Sequence, residues 1–371
     1  MMIYMDNAAT SLGNYGLFNV NSPYADEQKI KFENARKRIA SVINCKPEEL
    51  YFTSGGCEAN SWALQRSGCE TIITTKIEHP STLNCCKWLE KHGKQVIYLE
   101  TNKQGLVNIN DLNMKLLSVN LAPTLVSIIL VNNELGCTQD IDQIKRIIDH
   151  HNELREAACK ELGVEFTEKI YLHLDAVQAM STMDIDCSKC DMLSASGHKF
   201  GSPTGVGFLY SKVPLEPLIF GGSQEQGIRG GTSNYIGVIR MADMLETKKS
   251  DKHDLSVVKE TLAYLRKQLG QFDCIINTPE NSTSNILSVS FKGVDAEKLM
   301  IFLTDFNVYV SAGSACETDH KEPSHVLKAI NVPDEYIHGT IRFSLSPSNS
   351  IGQIDKVISL IRSFIGGTNE K

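Results

Sequence analysis

Residues 24–43, YADEQKIKFENARKRIASVI, carry Phe32, Ala35, Ile39 and Val42 at three- and four-residue spacing, with charged residues between them. The pattern predicts an amphipathic helix with a charged outer face. Further along, short apolar runs stand at 70–77, 94–100, 124–132, 169–176, 191–197 and 205–211. They are nearly continuous rather than alternating, as strands covered on both faces are. Helical patterns separate several of them, notably at 140–162. Strand–helix alternation of this kind predicts an α/β domain built on a mainly parallel sheet. Beyond residue 245 the pattern changes to a helix at 254–270, a strand at 284–291, a helix at 295–306, a strand at 339–348 and a closing helix at 352–366. Ser350 is placed to cap that last helix. The expected organisation is a large domain over 13–245 and a smaller α+β domain made of 1–12 and 246–371.

Composition narrows the function classes. A chain of 371 residues exceeds what one compact core usually holds. A net charge of −7 does not favour nucleic acid, whose binders usually carry a basic face. The opening MMIYMDNAAT lacks a basic segment followed by an apolar one, and no apolar run reaches membrane length. The eleven cysteines are scattered and odd in number, which argues against a disulfide framework and for a reducing cytoplasm. Cys187 and Cys190 form a CxxC, but no second pair stands at zinc-site spacing, so plain thiols and no metal are expected.

Residues able to do chemistry gather at the carboxyl ends of the predicted strands, where open α/β sheets bind ligands. In FTSGGCEAN, 52–60, a strand turns through Ser54, Gly55 and Gly56 into a helix. Backbone amides there would face an anion. The chain has no GxxxxGK[ST], so one phosphate suits the turn better than three. His79 in KIEHPST and Asn133 in VNNELG end two more strands. Asp175 and Gln178 lie in HLDAVQ; a carboxylate at a buried strand end needs a cation, either a pyridinium nitrogen or an arginine. Lys199 lies in SASGHKFG beside Ser196 and His198, with glycines that leave room for a planar cofactor. Taken singly, each has a plainer reading as a solvated lysine, a common turn, an Asp–Arg pair or a core histidine. Cys316, in VYVSAGSACETDHKEPS at 308–324, sits among small residues ahead of a polar run. A cysteine by itself is most often a small buried apolar group.

Together and in this order, YMDNAAT, FTSGGCEAN, EHPST, VNNELG, HLDAVQ, SGHKFGSPTGVG, RGGT and SAGSAC resemble the pyridoxal-phosphate-dependent class V aminotransferase family. Within it they resemble the cysteine desulfurases of the NifS-like type. The resemblance implies fold type I, with a seven-stranded, mainly parallel sheet in the large domain. It implies that Lys199 holds pyridoxal 5'-phosphate covalently, that His79 stacks on its ring and that Asp175 pairs with its nitrogen. Gln178 and Asn133 would touch the cofactor oxygen and the substrate side of the ring. Gly56, Cys57, Ser196 and His198 would surround the phosphate, with Thr232 reaching in from the partner of a homodimer. Arg342 in TIRFSL would grip the substrate carboxylate, and Cys316 would be the nucleophile. The implied reaction turns L-cysteine into L-alanine and a persulfide on Cys316, for delivery to an iron–sulfur scaffold or a tRNA-thiolation enzyme. A selenocysteine lyase, another class V enzyme such as an aminotransferase, and an inactive scaffold are the alternatives. The chain departs from the family by Cys57 where threonine is usual, by a short N-terminal part and by extra length at 151–168.

Overall fold

The computed structural model describes residues 25–119, 122–250, 252–282, 285–312 and 323–368, together with Met5 and Ala8. Seven strands form the larger sheet: β1 (Leu50–Thr53), β2 (Thr71–Thr75), β3 (Gln95–Leu99), β4 (Thr124–Ile129), β5 (Ile170–Asp175), β6 (Met192–Ser196) and β7 (Gly207–Ser211). Their order is β1-β7-β6-β5-β4-β2-β3. Strands β2 to β6 run parallel, and β7 is antiparallel to both β6 and β1. The mainly parallel seven-stranded sheet is therefore as expected. Every residue of β2, β4, β6 and β7 is buried, which is why these segments read as unbroken apolar runs.

Helices cover both faces of this sheet. On one side lie α1 (Asp26–Ile43), α4 (Ile109–Ser118), α5 (Ile141–Leu162) and α6 (Tyr235–Ser250), contributing Phe32, Leu112, Ile144 and Val238 to the main core. On the other lie α2 (Gly56–Arg66) and α3 (Pro80–Lys91), with Trp62, Ala63, Cys86 and Leu89. The extra length around 151–168 is largely the final turns of α5, which ends at Leu162 on a left-handed Gly163. Cys187 and Cys190 are core thiols with Cys45 packed against them. Among the described residues no cluster of side chains could hold a metal ion.

A second, antiparallel sheet follows: β8 (Cys274–Ile276), β9 (Ile286–Phe291), β10 (Ser311–Ala312) and β11 (Thr340–Ser344), in the order β10-β11-β9-β8. Its core joins Leu265 of α7 (Lys252–Leu269), Leu299 of α8 (Ala296–Asp305) and Ile358 of α11 (Ile351–Thr368). Ser350 caps α11: its Oγ accepts from Gln353 N at 3.4 Å, while Gln353 Oε1 accepts from Ser350 N at 3.1 Å. Residues 245/246 fall inside α6, and Leu245 belongs to the large-sheet core. Two short helices, α9 (His325–Ala329) and α10 (Asp334–Ile337), meet Ile77, Leu135 and Cys137 of the larger unit in an apolar seam.

Candidate active site

The site begins at α2. Gly55 ahead of this helix has φ 153°, a conformation open to glycine and strained for other residues, so the chain turns sharply from β1 into the helix. A Cβ on Gly56 would lie 2.6 Å from Val177 Cγ2, so only glycine lets the helix end sit this close to the end of β5. The first amides of a helix have no partner within it and, with the macrodipole, favour an anion. Cys57 is exposed at this end, while Ser196 is buried at the end of β6 with its Oγ 3.0 Å from His198 Nδ1.

One turn further along the same helix, Asn60 points into the sheet. Its Nδ2 donates to Asp175 Oδ2 at 2.7 Å and to Ser81 Oγ at 3.0 Å. Asp175 Oδ1 accepts from Val177 N at 3.0 Å. Both donors to the carboxylate are neutral, so the Asp–Arg alternative does not apply. Burial pushes the Asp175 carboxyl up, against those two hydrogen bonds and the nearby His79. A buried carboxylate held by neutral donors alone is suited to a cationic ring nitrogen.

His79 caps α3. Its Nδ1 accepts from Ser81 N at 3.1 Å and lies 2.8 Å from Ser81 Oγ. A protonated Nδ1 could not accept that amide, so the cap favours the neutral ring with its proton on Nε2. Burial lowers the His79 pKa further; Asp175 opposes this, while Lys199 and His325 reinforce it. Asp175, Asn60, Ser81 and His79 thus form one hydrogen-bonded chain.

Lys199 lies exposed in the turn after β6. With Gln178 it lines a cleft of about 450 Å³ whose other wall includes Asn285, just before β9, and Leu345 and Ser346, just after β11. Arg342 of β11 reaches across to the larger unit: its Nη1 donates to the Asn133 carbonyl at 2.8 Å and its Nη2 to Ser311 Oγ at 3.2 Å. Thr232 is exposed, just past a segment fastened to the rest of the site. In that segment Arg229 holds Glu58 of α2 in two bonds of 2.8 and 3.0 Å, and Glu225 holds Arg36 of α1 in two of 2.9 Å. Cys316 lies outside the described residues.

Sequence reasoning passed over Asn60 and Ser81, although both stand inside quoted stretches: Asn60 is four residues after Gly56, and Ser81 two after His79. It also passed over Glu134, Ser324 and His325, whose connections run between distant segments and leave no local trace.

A strand-end site with a helix-borne anion cradle, a neutral-capped histidine, a buried aspartate and a lysine defines a class. The chain belongs to the class-V aminotransferase family, whose model matches residues 3–357. That family is one of pyridoxal-phosphate enzymes. Among curated relatives, the cysteine desulfurase IscS of Methanosarcina thermophila is 32% identical, covering 98% of this chain and 92% of that protein. The cysteine desulfurase IscS of Dictyoglomus turgidum is 34% identical, covering 98% of this chain and 94% of that protein. Among solved structures, a NifS-like protein superposes with a TM-score of 0.82 at 30% identity, covering 94% of this chain and 91% of that one. The residues present fit the cofactor: the free amides at the start of α2 would suit its phosphate, and the buried Asp175, held by Asn60 and the Val177 amide, would suit its ring nitrogen.

Proposed function

We propose that this chain is a cysteine desulfurase that takes L-cysteine, releases L-alanine and leaves the sulfur as a persulfide on Cys316. The observation that carries this reading is Arg342 against the Asn133 carbonyl. It brings a guanidinium, suited to a carboxylate, from the smaller sheet to the rim of the cofactor site. Arg342 pairs across the sheet with Ser311, and Cys316 follows Ala312 by four residues. The proposed substrate grip thus pairs with the strand that precedes the candidate nucleophile in sequence. The desulfurase names of the relatives support the same activity.

Pyridoxal phosphate, when bound, supplies an electron sink for the carbon that carries the amino group. Lys199 would hold the cofactor through its Nζ, and the same amine would move the proton at the substrate α-carbon. Asp175 keeps a negative charge at the ring nitrogen. His79 would cover the ring face, with its proton held at Nε2, and Gln178 and Asn133 would orient the ring and the substrate. Gly56, Cys57, Ser196 and His198 bind the phosphate, joined by Thr232 of a partner copy. Arg342 orients the substrate by its carboxylate. The Cys316 thiolate attacks the substrate sulfur; the carbon–sulfur bond breaks, a sulfur–sulfur bond forms, and the carbon takes a proton to give alanine.

The proposal includes a homodimer, a division into a large domain at 13–245 and a small one at 1–12 and 246–371, and a sulfur-accepting protein such as an iron–sulfur scaffold or a tRNA-thiolation enzyme. It also places the chain in the cytoplasm. All ten described cysteines are free, and no described helix is long and apolar enough to cross a membrane.

The test supplies pyridoxal phosphate and L-cysteine and measures alanine and sulfide. Wild type should yield both. Cys316→Ala should keep the cofactor absorbance and lose persulfide, and Lys199→Ala should lose the absorbance of covalently held cofactor. A wild-type chain that binds the cofactor and forms neither product would refute the reading.

A further inference from the structure

Helix α9 is fastened to the loops that carry the cofactor-side residues. Its capping residue Ser324 accepts from Val326 N at 3.0 Å and lies 2.5 Å from Glu134 Oε2, to which it donates. Both Ser324 and Glu134 are buried. The next residue, His325, has its Nε2 2.9 Å from the Glu78 carbonyl oxygen. A carbonyl only accepts, so this nitrogen carries the proton. Glu78 directly precedes His79, and Glu134 directly follows Asn133. Val326 and Leu327 continue the seam against Ile77 and Leu135.

We propose that His325 is a positioning residue for His79: its Nε2 holds the Glu78 carbonyl, sets the backbone from which His79 leaves, and keeps a second imidazole beside the first. This rests on the reading of His79 as the residue that covers the cofactor ring. The groups that face His79 are Asp175 from β5, Lys199 from the turn after β6 and His325 from α9. Asp175 favours a charged His79, and the other two oppose it. The Glu78 carboxyl on the same loop is buried and pushed up to about 8, so it is largely uncharged at neutral pH. His325 therefore acts in two separable ways, through a hydrogen bond and through charge.

Two substitutions separate them. His325→Gln keeps an N–H for the Glu78 carbonyl and removes the charge; His325→Leu removes both. The first readout uses the cofactor-free full-length chain, with modification of His79 by diethyl pyrocarbonate followed across pH by peptide mass spectrometry. Only the neutral imidazole reacts. Both variants should raise the apparent pKa of His79, because the imidazole whose electrostatic effect helps to lower it is gone. The second readout is turnover of L-cysteine. The kcat should fall about tenfold in His325→Leu and be mostly restored in His325→Gln, with KM little changed. An unshifted His79 profile in both variants, or a loss in His325→Leu that His325→Gln does not restore, overturns the proposal. If wild type makes no alanine while the His79 profile still shifts, the desulfurase reading fails and the positioning role stands.

Discussion

Asn60 spends both protons of one amide on the site, one on Asp175 and one on Ser81, and Ser81 in turn holds His79. Losing it would leave Asp175 with the Val177 amide alone. An unsatisfied buried acceptor costs about 1–3 kcal/mol, and here the cost falls on the carboxylate proposed to face the cofactor. Asn60→Ala should therefore weaken pyridoxal-phosphate binding about tenfold or more. Absorbance titration of cofactor-free protein would measure it, and circular dichroism should remain unchanged. Affinity equal to wild type would contradict this role. At this scale, what was legible was chemistry that stands in a motif. His79, Asp175 and Lys199 could be picked out because they end apolar runs. Asn60 could not, because an asparagine on a helix declares nothing until the helix is docked and its facing strand is known.

The elements show the same limit from another side. In the sequence Arg36 belongs to the charged outer face of the first helix. In the fold it is buried: it is bonded to Glu225, donates to the Leu50 carbonyl, and its guanidinium lies 4.5 Å from the Phe52 ring centre. Its partner lies 189 positions away, beyond the reach of periodicity. Glu225 also accepts from Phe52 N at 2.9 Å and sits at φ 44°, a left-handed backbone held by these bonds. Arg36→Met keeps the bulk of the stem but strands a buried carboxylate. It should cost about 3–5 kcal/mol in denaturant unfolding. A loss below 1 kcal/mol would mean that Glu225 finds water or another partner. Six strands of the larger sheet, by contrast, were readable to within three residues at either end, because burial of most of them on both faces writes itself into local composition. Helix α6 and strand β8 were missed, the first because its apolar residues follow a glycine-rich stretch without a clear start, the second because it spans only three residues.

For the whole molecule, the segment before Thr232 matters most. Phe220 is 78% exposed there, and Ile219 and Ile236 are also exposed. Arg229 and Glu225 bind this segment to α2 and α1, so its outward face is presented on a fixed base rather than on a free loop. Apolar exposure of this kind next to a residue proposed to serve a second copy is consistent with the homodimer. Phe220→Glu should shift sedimentation from dimer toward monomer and weaken cofactor binding in parallel, since Thr232 would lose its target. A variant that stays dimeric with full cofactor affinity would place the interface elsewhere.

Helix α2 carries the anion cradle at Gly56 and the hold on Asp175 at Asn60, four residues apart on one rigid rod. That separation is about 6 Å and is set by the helix itself. The helix therefore works as a caliper. A ligand with a phosphate but no ring nitrogen engages one jaw, and a ring without a phosphate engages the other. Only a molecule of matching span would close on both, and selection of the proposed cofactor would then be a measurement of length made before any chemistry begins.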